Sequence, residues 1–315
     1  MSDPLKILYM GTPEFAVPSL NALAKSGEDL IAVVTRPDRP KGRNLVLTPS
    51  PVKLAAESLK IPVYQPSNVK DPRFVETVRS LAPDLIVVVA FGQILSGSLL
   101  SIPPRGCVNV HASLLPKFRG AAPVHWALIE GEKETGVTTM LMDTGLDTGP
   151  TLKKRSLPIG DHDTGETLSR KLSELGAELL LETVRDLHEG TIRPVPQESA
   201  GATYAPILKK QDGEINWRET AERIVRKWRA LTPWPGVFTY YHNKRVKLYN
   251  VRALRSVQEG APGEIIYVGN QGLRVATGEG VIEILEIQPE NGKRMPVSQF
   301  LAGHRLKQGE ILGEK

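Results

Sequence analysis

The chain has 315 residues, enough for more than one domain, and 40% of them are hydrophobic, which is typical of globular rather than disordered proteins. Forty Lys and Arg against 35 Asp and Glu leave a formal charge of +5, which neither requires nor excludes a polyanionic partner. The single cysteine, Cys107, excludes an intramolecular disulfide and a zinc site built from thiolates, and we find no leader-like or membrane-spanning stretch; we therefore expect a cytoplasmic protein without membrane contact or bound metal.

The first half of the chain alternates strand-like and helix-like segments. The pattern predicts strands at 5–10, 28–35, around Val63, and at 85–90, 107–111, 136–142 and 151–158. It predicts helices at 15–25, 52–59, 74–81, 122–129 and 164–188. Such an alternation is typical of an α/β domain with a doubly wound, mostly parallel, Rossmann-like sheet. We expect this domain to occupy residues 1–190.

The second half has a different organisation. Residues 191–206 contain three prolines and no sustained period, which predicts a linker. A second domain is expected over 207–315, with a helix at 218–231 and strands at 237–241, 246–251, 263–268, 272–276 and 281–288. Five short strands joined by Gly- or Asn-containing turns predict a small antiparallel β-barrel similar to the oligonucleotide-binding type. Trp228 and Trp234 are expected in core or interdomain positions rather than as stacking platforms.

Polar and titratable side chains cluster where apolar strands end. Asn109 and His111 lie two positions apart, so one strand would aim both in the same direction. An amide that donates to a developing oxyanion, beside a base that titrates near neutral pH, suits acyl transfer. Asp147, between two glycines in a later loop, would complete this set. The structural alternatives are a histidine satisfied by backbone and an ordinary Asx turn.

The residues that follow the predicted strand at 107–111 carry a binding signal. Two leucines in an exposed connection indicate a pocket wall against a flat organic ligand, although an ordinary turn is the alternative. The four residues are Ser113, Leu114, Leu115 and Pro116.

Basic residues concentrate between Thr35 and Pro51, with the single acid Asp38 among them. We expect a long flexible loop that contacts phosphates, since clustered like charges repel one another unless an anion relieves them; a merely solvated loop is the alternative. Lys209 and Lys210 would extend the same footprint from the second domain. The basic residues of the loop are Arg36, Arg39, Lys41 and Arg43.

The run Asn109-x-His111-x-Ser113-Leu-Leu-Pro116, together with Arg119-Gly120 and the loop 145–149, resembles the folate-dependent formyltransferases. The likeness extends over 11–16, 37–40, 49–53 and 234–235, and thus over nearly the whole chain. Ala112 stands where many relatives carry Gly, a small-for-small change.

This resemblance implies transfer of the formyl group of 10-formyltetrahydrofolate to the α-amine of methionine on initiator tRNA, which releases tetrahydrofolate and prepares the tRNA for translation initiation. Asn109, His111 and Asp147 match the family's catalytic positions, residues 113–116 its folate-contacting segment, and residues 36–43 the loop that enters the tRNA acceptor stem. We expect a monomer. Two alternatives are a formyltransferase that acts on another amine and a catalytically idle tRNA-binding protein.

Overall fold

The first half of the chain forms one seven-stranded sheet in the computed structural model, which describes residues 3–41, 45–254, 260–269 and 272–313. The strands, with a separate hairpin (β3 and β4), are β1 (Lys6–Gly11), β2 (Asp29–Val34), β3 (Arg39–Lys41), β4 (Val46–Thr48), β5 (Val63–Tyr64), β6 (Leu85–Val89), β7 (Cys107–His111), β8 (Glu134–Leu141) and β9 (Thr151–Pro158). The sheet order is β5-β2-β1-β6-β7-β8-β9. The first five strands in this order, β5, β2, β1, β6 and β7, pair in parallel. Strand β8 is antiparallel to both of its neighbours, β7 and β9. The predicted mostly parallel α/β sheet is confirmed.

Helices connect these strands, and all but α4 lie where the sequence predicts a helix. They are α1 (Val17–Leu23), α2 (Pro51–Ser58), α3 (Pro72–Leu81), α4 (Gly97–Leu100), α5 (Pro123–Glu130) and α6 (Gly165–His188). Local chemistry fixes two of the starts: Ser50 and Asp71 accept a hydrogen bond from the backbone of the first turn, and each precedes a proline at the first helical position. All five residues of β6 are buried, as expected for a central parallel strand.

The segment between Thr35 and Pro51 differs from the predicted flexible loop, because it contains the antiparallel hairpin of β3 and β4. Asp38 anchors its base, accepting from Lys53 Nζ at 2.7 Å and from Gln65 Nε2 at 2.7 Å. The hydrogen bond from Lys53, followed by that from Gln65, lowers the pKa of the Asp38 carboxyl. Strands of only three residues carry too little alternation to be recognised in sequence.

Short antiparallel strands dominate the described C-terminal part. They are β10 (Val237–Tyr241), β11 (Lys244–Leu248), β12 (Val251–Leu254), β13 (Ile265–Gly269), β14 (Gly272–Ala276), β15 (Val281–Ile284), β16 (Glu286–Pro289) and β17 (Met295–Pro296), with helices α7 (Ala221–Leu231) and α8 (Val297–Gly303). They form two four-stranded sheets, ordered β10-β11-β16-β17 and β12-β15-β14-β13. The antiparallel architecture is confirmed.

Two of the five predicted strands are each broken into two, so that the chain passes from one sheet to the other. The breaks fall at residues 249–250 and at Leu285. Tyr249 N donates to the carbonyl of Glu286 at 3.0 Å and Leu285 N to that of Asn250 at 2.8 Å, so pairing continues through both bends. A bend that keeps its hydrogen bonds leaves the apolar pattern intact, which is why the sequence predicts one strand in each case.

The described chain divides into two compact units. Unit 1 comprises Met1–Pro123, Glu134–Pro158 and Leu168–Pro206, and unit 2 comprises Val124–Lys133, Ile159–Thr167 and Ile207–Lys315. Trp234 of unit 2 is 53% exposed and therefore does not lie in the core, whereas Trp228 is half-buried. Over the described residues, no helix combines the length and the apolar character needed to span a membrane.

Candidate active site

Strand β7 presents Asn109 and His111 on one face of the sheet. Val110, between them, points to the opposite face, where α6 approaches so closely that a Cβ added at Gly176 would lie 3.0 Å from Val110 Cγ1. Because the packing of Val110 fixes which way the strand faces, the polar residues on either side of it are directed away from α6. His111 is 5% exposed and Asn109 is half-buried.

Asp147 reaches these two residues from a loop rather than from a parallel strand. Since β8 is antiparallel to β7, its last residue, Leu141, pairs with Val108 near the start of β7, and the following loop must return along β7. The carboxylate of Asp147 then accepts from Asn109 Nδ2 at 3.4 Å and lies 3.7 Å from His111 Nδ1. The structure thus brings together all three residues that the sequence predicts to be catalytic.

The backbone decides which nitrogen of His111 is available for chemistry. Nε2 lies 2.9 Å from the carbonyl oxygen of Phe118, and a carbonyl can only accept, so Nε2 carries the hydrogen. Nδ1 faces Oδ2 of Asp147 and is the free position: a lone pair in the neutral ring, and an N–H donor in the cation.

The Asp147 carboxylate is held in place without being closed off. Oδ2 accepts the backbone N–H of Gly120 at 2.8 Å, and the Asp147 side chain is 15% exposed. Each carboxylate oxygen has two acceptor positions, so both retain capacity for a donor on a substrate. A carboxylate, an imidazole nitrogen and an amide thus lie together in one partly accessible place. Such groups can transfer a proton and stabilise an oxyanion.

The four residues predicted to bind a flat ligand form a turn beside this site. Ser113 is fully buried and donates to the carbonyl of Lys117 at 2.6 Å, and Leu115 is 1% exposed. Thr138 ties the turn to β8, since its hydroxyl accepts from Leu115 N at 3.1 Å and donates to the carbonyl of Ser113 at 2.7 Å. Leu114 and Pro116 are only half-buried, so within this turn they are the side chains placed to meet a ligand.

The predicted phosphate-binding residues differ in exposure and in the unit to which they belong. Arg36 is half-buried and donates through Nη2 to the carbonyl of Gly92, whereas Arg39 is exposed. Lys41 is the last residue of β3, and Arg43 lies outside the described residues. Lys209 and Lys210 are exposed and belong to unit 2.

Two other chemical possibilities find little support among the described residues. No group of three or more His, Cys, Asp or Glu there could hold a metal ion. Burial raises the pKa of the Cys107 thiol to about 12, which disfavours the thiolate that a nucleophile requires.

Three residues support the site although no role is assigned to them from sequence. Arg119 is 6% exposed, and its guanidinium donates to Gln197 Oε1 at 3.2 and 2.8 Å. Thr203 Oγ1 accepts from the backbone N of Phe118, the residue that holds His111, at 2.8 Å. Gln197 and Thr203 fall in the segment predicted to be a linker, where proline content outweighed any other local signal.

Comparison with known proteins identifies the family. Residues 5–184 match the family model described as formyl transferase, and residues 207–305 match that of the formyl transferase C-terminal domain. The chain belongs to the formyl transferase family. The resemblance stated from sequence is confirmed.

Relatives in the formyl transferase family are similar over their full lengths. A protein named methionyl-tRNA formyltransferase from Citrifermentans bemidjiense is 51% identical over 311 residues, which cover 99% of this chain and 97% of the relative. A protein of the same name from Geobacter sulfurreducens is 52% identical over 310 residues, covering 98% and 97% of the two chains.

Solved structures show the same fold at low identity. WlaRD, a sugar 3N-formyl transferase crystallised with dTDP and 5-N-formyl-THF, has a TM-score of 0.67 at 19% identity over 93% of this chain and 100% of its own. HypX from Aquifex aeolicus, in complex with tetrahydrofolic acid, has a TM-score of 0.61 at 17% identity over 99% of this chain and 51% of its own. At these identities the similarity concerns the fold alone.

Proposed function

We propose that the protein transfers the formyl group of 10-formyltetrahydrofolate to the α-amine of methionine esterified to initiator tRNA, giving formylmethionyl-tRNA for translation initiation. Relatives 51% and 52% identical over nearly the whole chain are named for this reaction. The observation that carries the proposal is the convergence of Asn109 and His111 on the carboxylate of Asp147, in a chain of the formyl transferase family.

The folate cosubstrate supplies the formyl carbon, bound to its N10, that the neutral amine attacks. Negative charge develops on the formyl oxygen, and two donors of this chain can meet it: the amide of Asn109 and, in the imidazolium form, Nδ1 of His111. Since the Nε2 hydrogen is already committed to Phe118, only Nδ1 can serve in this role. Oδ2 of Asp147 lies 3.7 Å from that nitrogen, so the carboxylate and Nδ1 face the same reacting atoms.

Asp147 is also placed to handle the proton that the amine loses. Its carboxylate accepts the backbone N–H of Gly120 on Oδ2 and the amide of Asn109 on Oδ1, and both oxygens keep a second acceptor position. The carboxylate therefore takes the amine proton and returns it towards N10 as the bond between N10 and the formyl carbon breaks. The overall reaction exchanges one N–C bond for another and releases tetrahydrofolate.

Apolar side chains on two neighbouring loops suit the flat ring of the folate. Ile94 is 69% exposed and Leu146, next to Asp147, is 56% exposed. The loops that carry them approach each other at Gly97, where an added Cβ would lie 4.0 Å from Thr144. Like Leu114 and Pro116, these residues offer apolar surface, and burial of an aromatic ring against that surface would remove it from water.

Initiator methionyl-tRNA is the proposed partner, and its phosphates would meet the exposed cations. Arg39 on the hairpin is the best-placed described member of the first group, and Lys209 and Lys210 form the second. We assign formyl transfer to a domain at 1–190, tRNA binding to a domain at 207–315, and the connection to 191–206. We further propose a cytoplasmic monomer that does not associate with membranes.

The test is an acceptor comparison with the purified full-length protein. Formyl transfer from 10-formyltetrahydrofolate is measured with methionyl initiator tRNA, free methionine and an amino sugar nucleotide, and the formylated product is identified after mild ester hydrolysis. We expect product with the aminoacylated tRNA at far lower concentration than with either small amine. Preference for a small amine would assign the enzyme to another acceptor, and tRNA binding without any product would favour an idle binding protein.

A further inference from the structure

The side chain of Gln197 connects the loop that carries Asp147 to a buried arginine. Its Nε2 donates to the carbonyl of Asp147 at 2.9 Å and to that of Gly149 at 2.8 Å. Its Oε1 accepts from both Nε and Nη2 of Arg119. All four hydrogen bonds lie within unit 1, and together they use both donors and both acceptor positions of one amide.

The loop needs such support because its backbone is in an unfavourable conformation. Asp147 has φ +54°, in the left-handed region that residues with a Cβ seldom adopt. Gly149 has no room for a side chain, since a Cβ there would overlap the carbonyl of Leu141. The conformation places the Asp147 carboxylate on the N–H of Gly120, so whatever holds this backbone also sets the position of the carboxylate.

Arg119 determines the orientation of the Gln197 amide. Only the amide oxygen can accept from a guanidinium, so the amide nitrogen must face the carbonyls of Asp147 and Gly149. Arg119 itself is fixed by its backbone: its N donates to Thr203 O at 2.8 Å, and its carbonyl accepts from Ala205 N at 2.7 Å.

The segment that contains Gln197 is also joined to the rest of unit 1. Val195 and Thr151 exchange two backbone hydrogen bonds of 2.8 Å each, two residues before Gln197. Gln197 therefore lies on a backbone that is paired to β9 on one side and to residues 118–122 on the other. Because this backbone is held on both sides, the amide of Gln197 can fix the position of the loop that carries Asp147.

We infer that Gln197 is a positioning residue for formyl transfer: through the carbonyls of Asp147 and Gly149 it holds the Asp147 carboxylate in register with Asn109 and His111. The inference rests on the proposed function. The hydrogen bonds of Gln197 to the loop go to its backbone carbonyls, and Gln197 acts on the reaction through that backbone. The required chemistry is an amide that accepts at one end and donates at the other, which neither a carboxylate nor an apolar side chain reproduces.

The experiment uses two substitutions of the full-length protein. Gln197→Glu keeps an acceptor for Arg119 but removes both donors to the loop, and Gln197→Met removes both functions at similar volume. Glu198→Gln, an exposed neighbour on the same segment, is the control. We expect kcat to fall by roughly 10- to 100-fold in both Gln197 variants, with KM for 10-formyltetrahydrofolate changed by less than about threefold and the control unchanged.

A double variant separates positioning from a general structural role. If Gln197 acts through Asp147, Gln197→Met should cost far less in the Asp147→Asn background than in the wild type. Three outcomes would overturn the inference. They are a loss of kcat in the double variant equal to the product of the two single losses, an unchanged kcat in both Gln197 variants, and failure of both Gln197 variants to fold. The wild-type protein is assayed alongside: absence of formylmethionyl product there would reject the proposed function, whereas normal wild-type turnover with unaffected Gln197 variants would reject this inference alone.

Discussion

Replacing Asp147 with Asn removes the negative charge while keeping an acceptor of the same shape. The amide oxygen of Asn can still accept the N–H of Gly120, now 2.8 Å from Oδ2, so the loop should keep its position. The neutral amide, however, cannot take a proton from an amine, and it removes the negative charge that faces Nδ1 of His111, which lies 3.7 Å from Oδ2. Asp147→Asn therefore removes the charge and keeps the hydrogen bond that anchors the loop at Gly120, whereas the hydrogen bond that Oδ1 accepts from Asn109 is lost.

The magnitude follows from the lost interactions. A positioned acid–base group contributes about 10²- to 10⁴-fold to rate. The lower end of that range corresponds to about 2.7 kcal/mol of transition-state free energy, similar to the contribution of about 1.5–3 kcal/mol for a hydrogen bond to a charged group. We expect kcat to fall by at least roughly 100-fold, with folate binding nearly unchanged because the charge faces the reacting atoms.

The assay is steady-state formylation of methionyl initiator tRNA, with folate affinity measured separately by fluorescence or calorimetry. Asp143→Asn is the matched control, since Asp143 is an exposed acid of the same loop that accepts from Gly145 N at 3.0 Å, a role that Asn fills equally well. Turnover of Asp147→Asn within threefold of wild type would refute the reasoning, and so would an equal loss in the control.

Three further predictions concern binding, stability and reactivity. Arg39→Ala should weaken tRNA use and reduce the slope of log affinity against log salt by about one phosphate contact; an unchanged slope would mean that this exposed arginine is only solvated. Thr138→Val should lower the free energy of unfolding by about 1–3 kcal/mol, because Leu115 N–H and the Ser113 carbonyl lose their buried partner; thermal denaturation that matches wild type would contradict this. Cys107 should resist alkylation at pH 8 until the protein unfolds, since burial raises its pKa to about 12 from 9.0, and rapid stoichiometric labelling would disprove it. Because the folded state disfavours the thiolate, the Cys107 thiol should lower the free energy of unfolding as pH rises from about 9 towards 12.

Asn109 and His111, at the centre of the site, could be predicted because the sequence signals for them are local to one strand. Cys107–His111 is an apolar strand, and the period of two places Asn109 and His111 on the same face whatever the neighbouring strands do. Asp147 could be proposed from its loop composition alone. Its approach to Asn109 depends on the antiparallel direction of β8 and on the return of the loop along β7, and neither has a signature in the sequence.

The supporting residues could not be predicted, since their roles arise from distant contacts. Residues 191–206 are rich in proline, which predicts a linker, yet Gln197 meets Asp147 and Arg119, which are 50 and 78 residues away in sequence. Likewise a charged side chain is usually exposed to solvent, whereas Arg119 is buried with its guanidinium bonded to Gln197. Proline fixes backbone conformation without excluding hydrogen bonds by neighbouring residues, so composition alone does not separate a linker from a segment bound to the core.

The most direct measurement is the single-turnover rate of formyl transfer from 10-formyltetrahydrofolate to methionyl initiator tRNA, for the wild type and for His111→Ala at saturating enzyme. The arrangement of His111, with Nε2 fixed on Phe118 and Nδ1 free beside Asp147, predicts rapid formylmethionyl product in the wild type and a loss of roughly 100-fold or more in the variant. Folate and tRNA should bind the variant with nearly wild-type affinity. A wild type that forms no product, or a variant as fast as the wild type, would contradict the assignment of this site to formyl transfer.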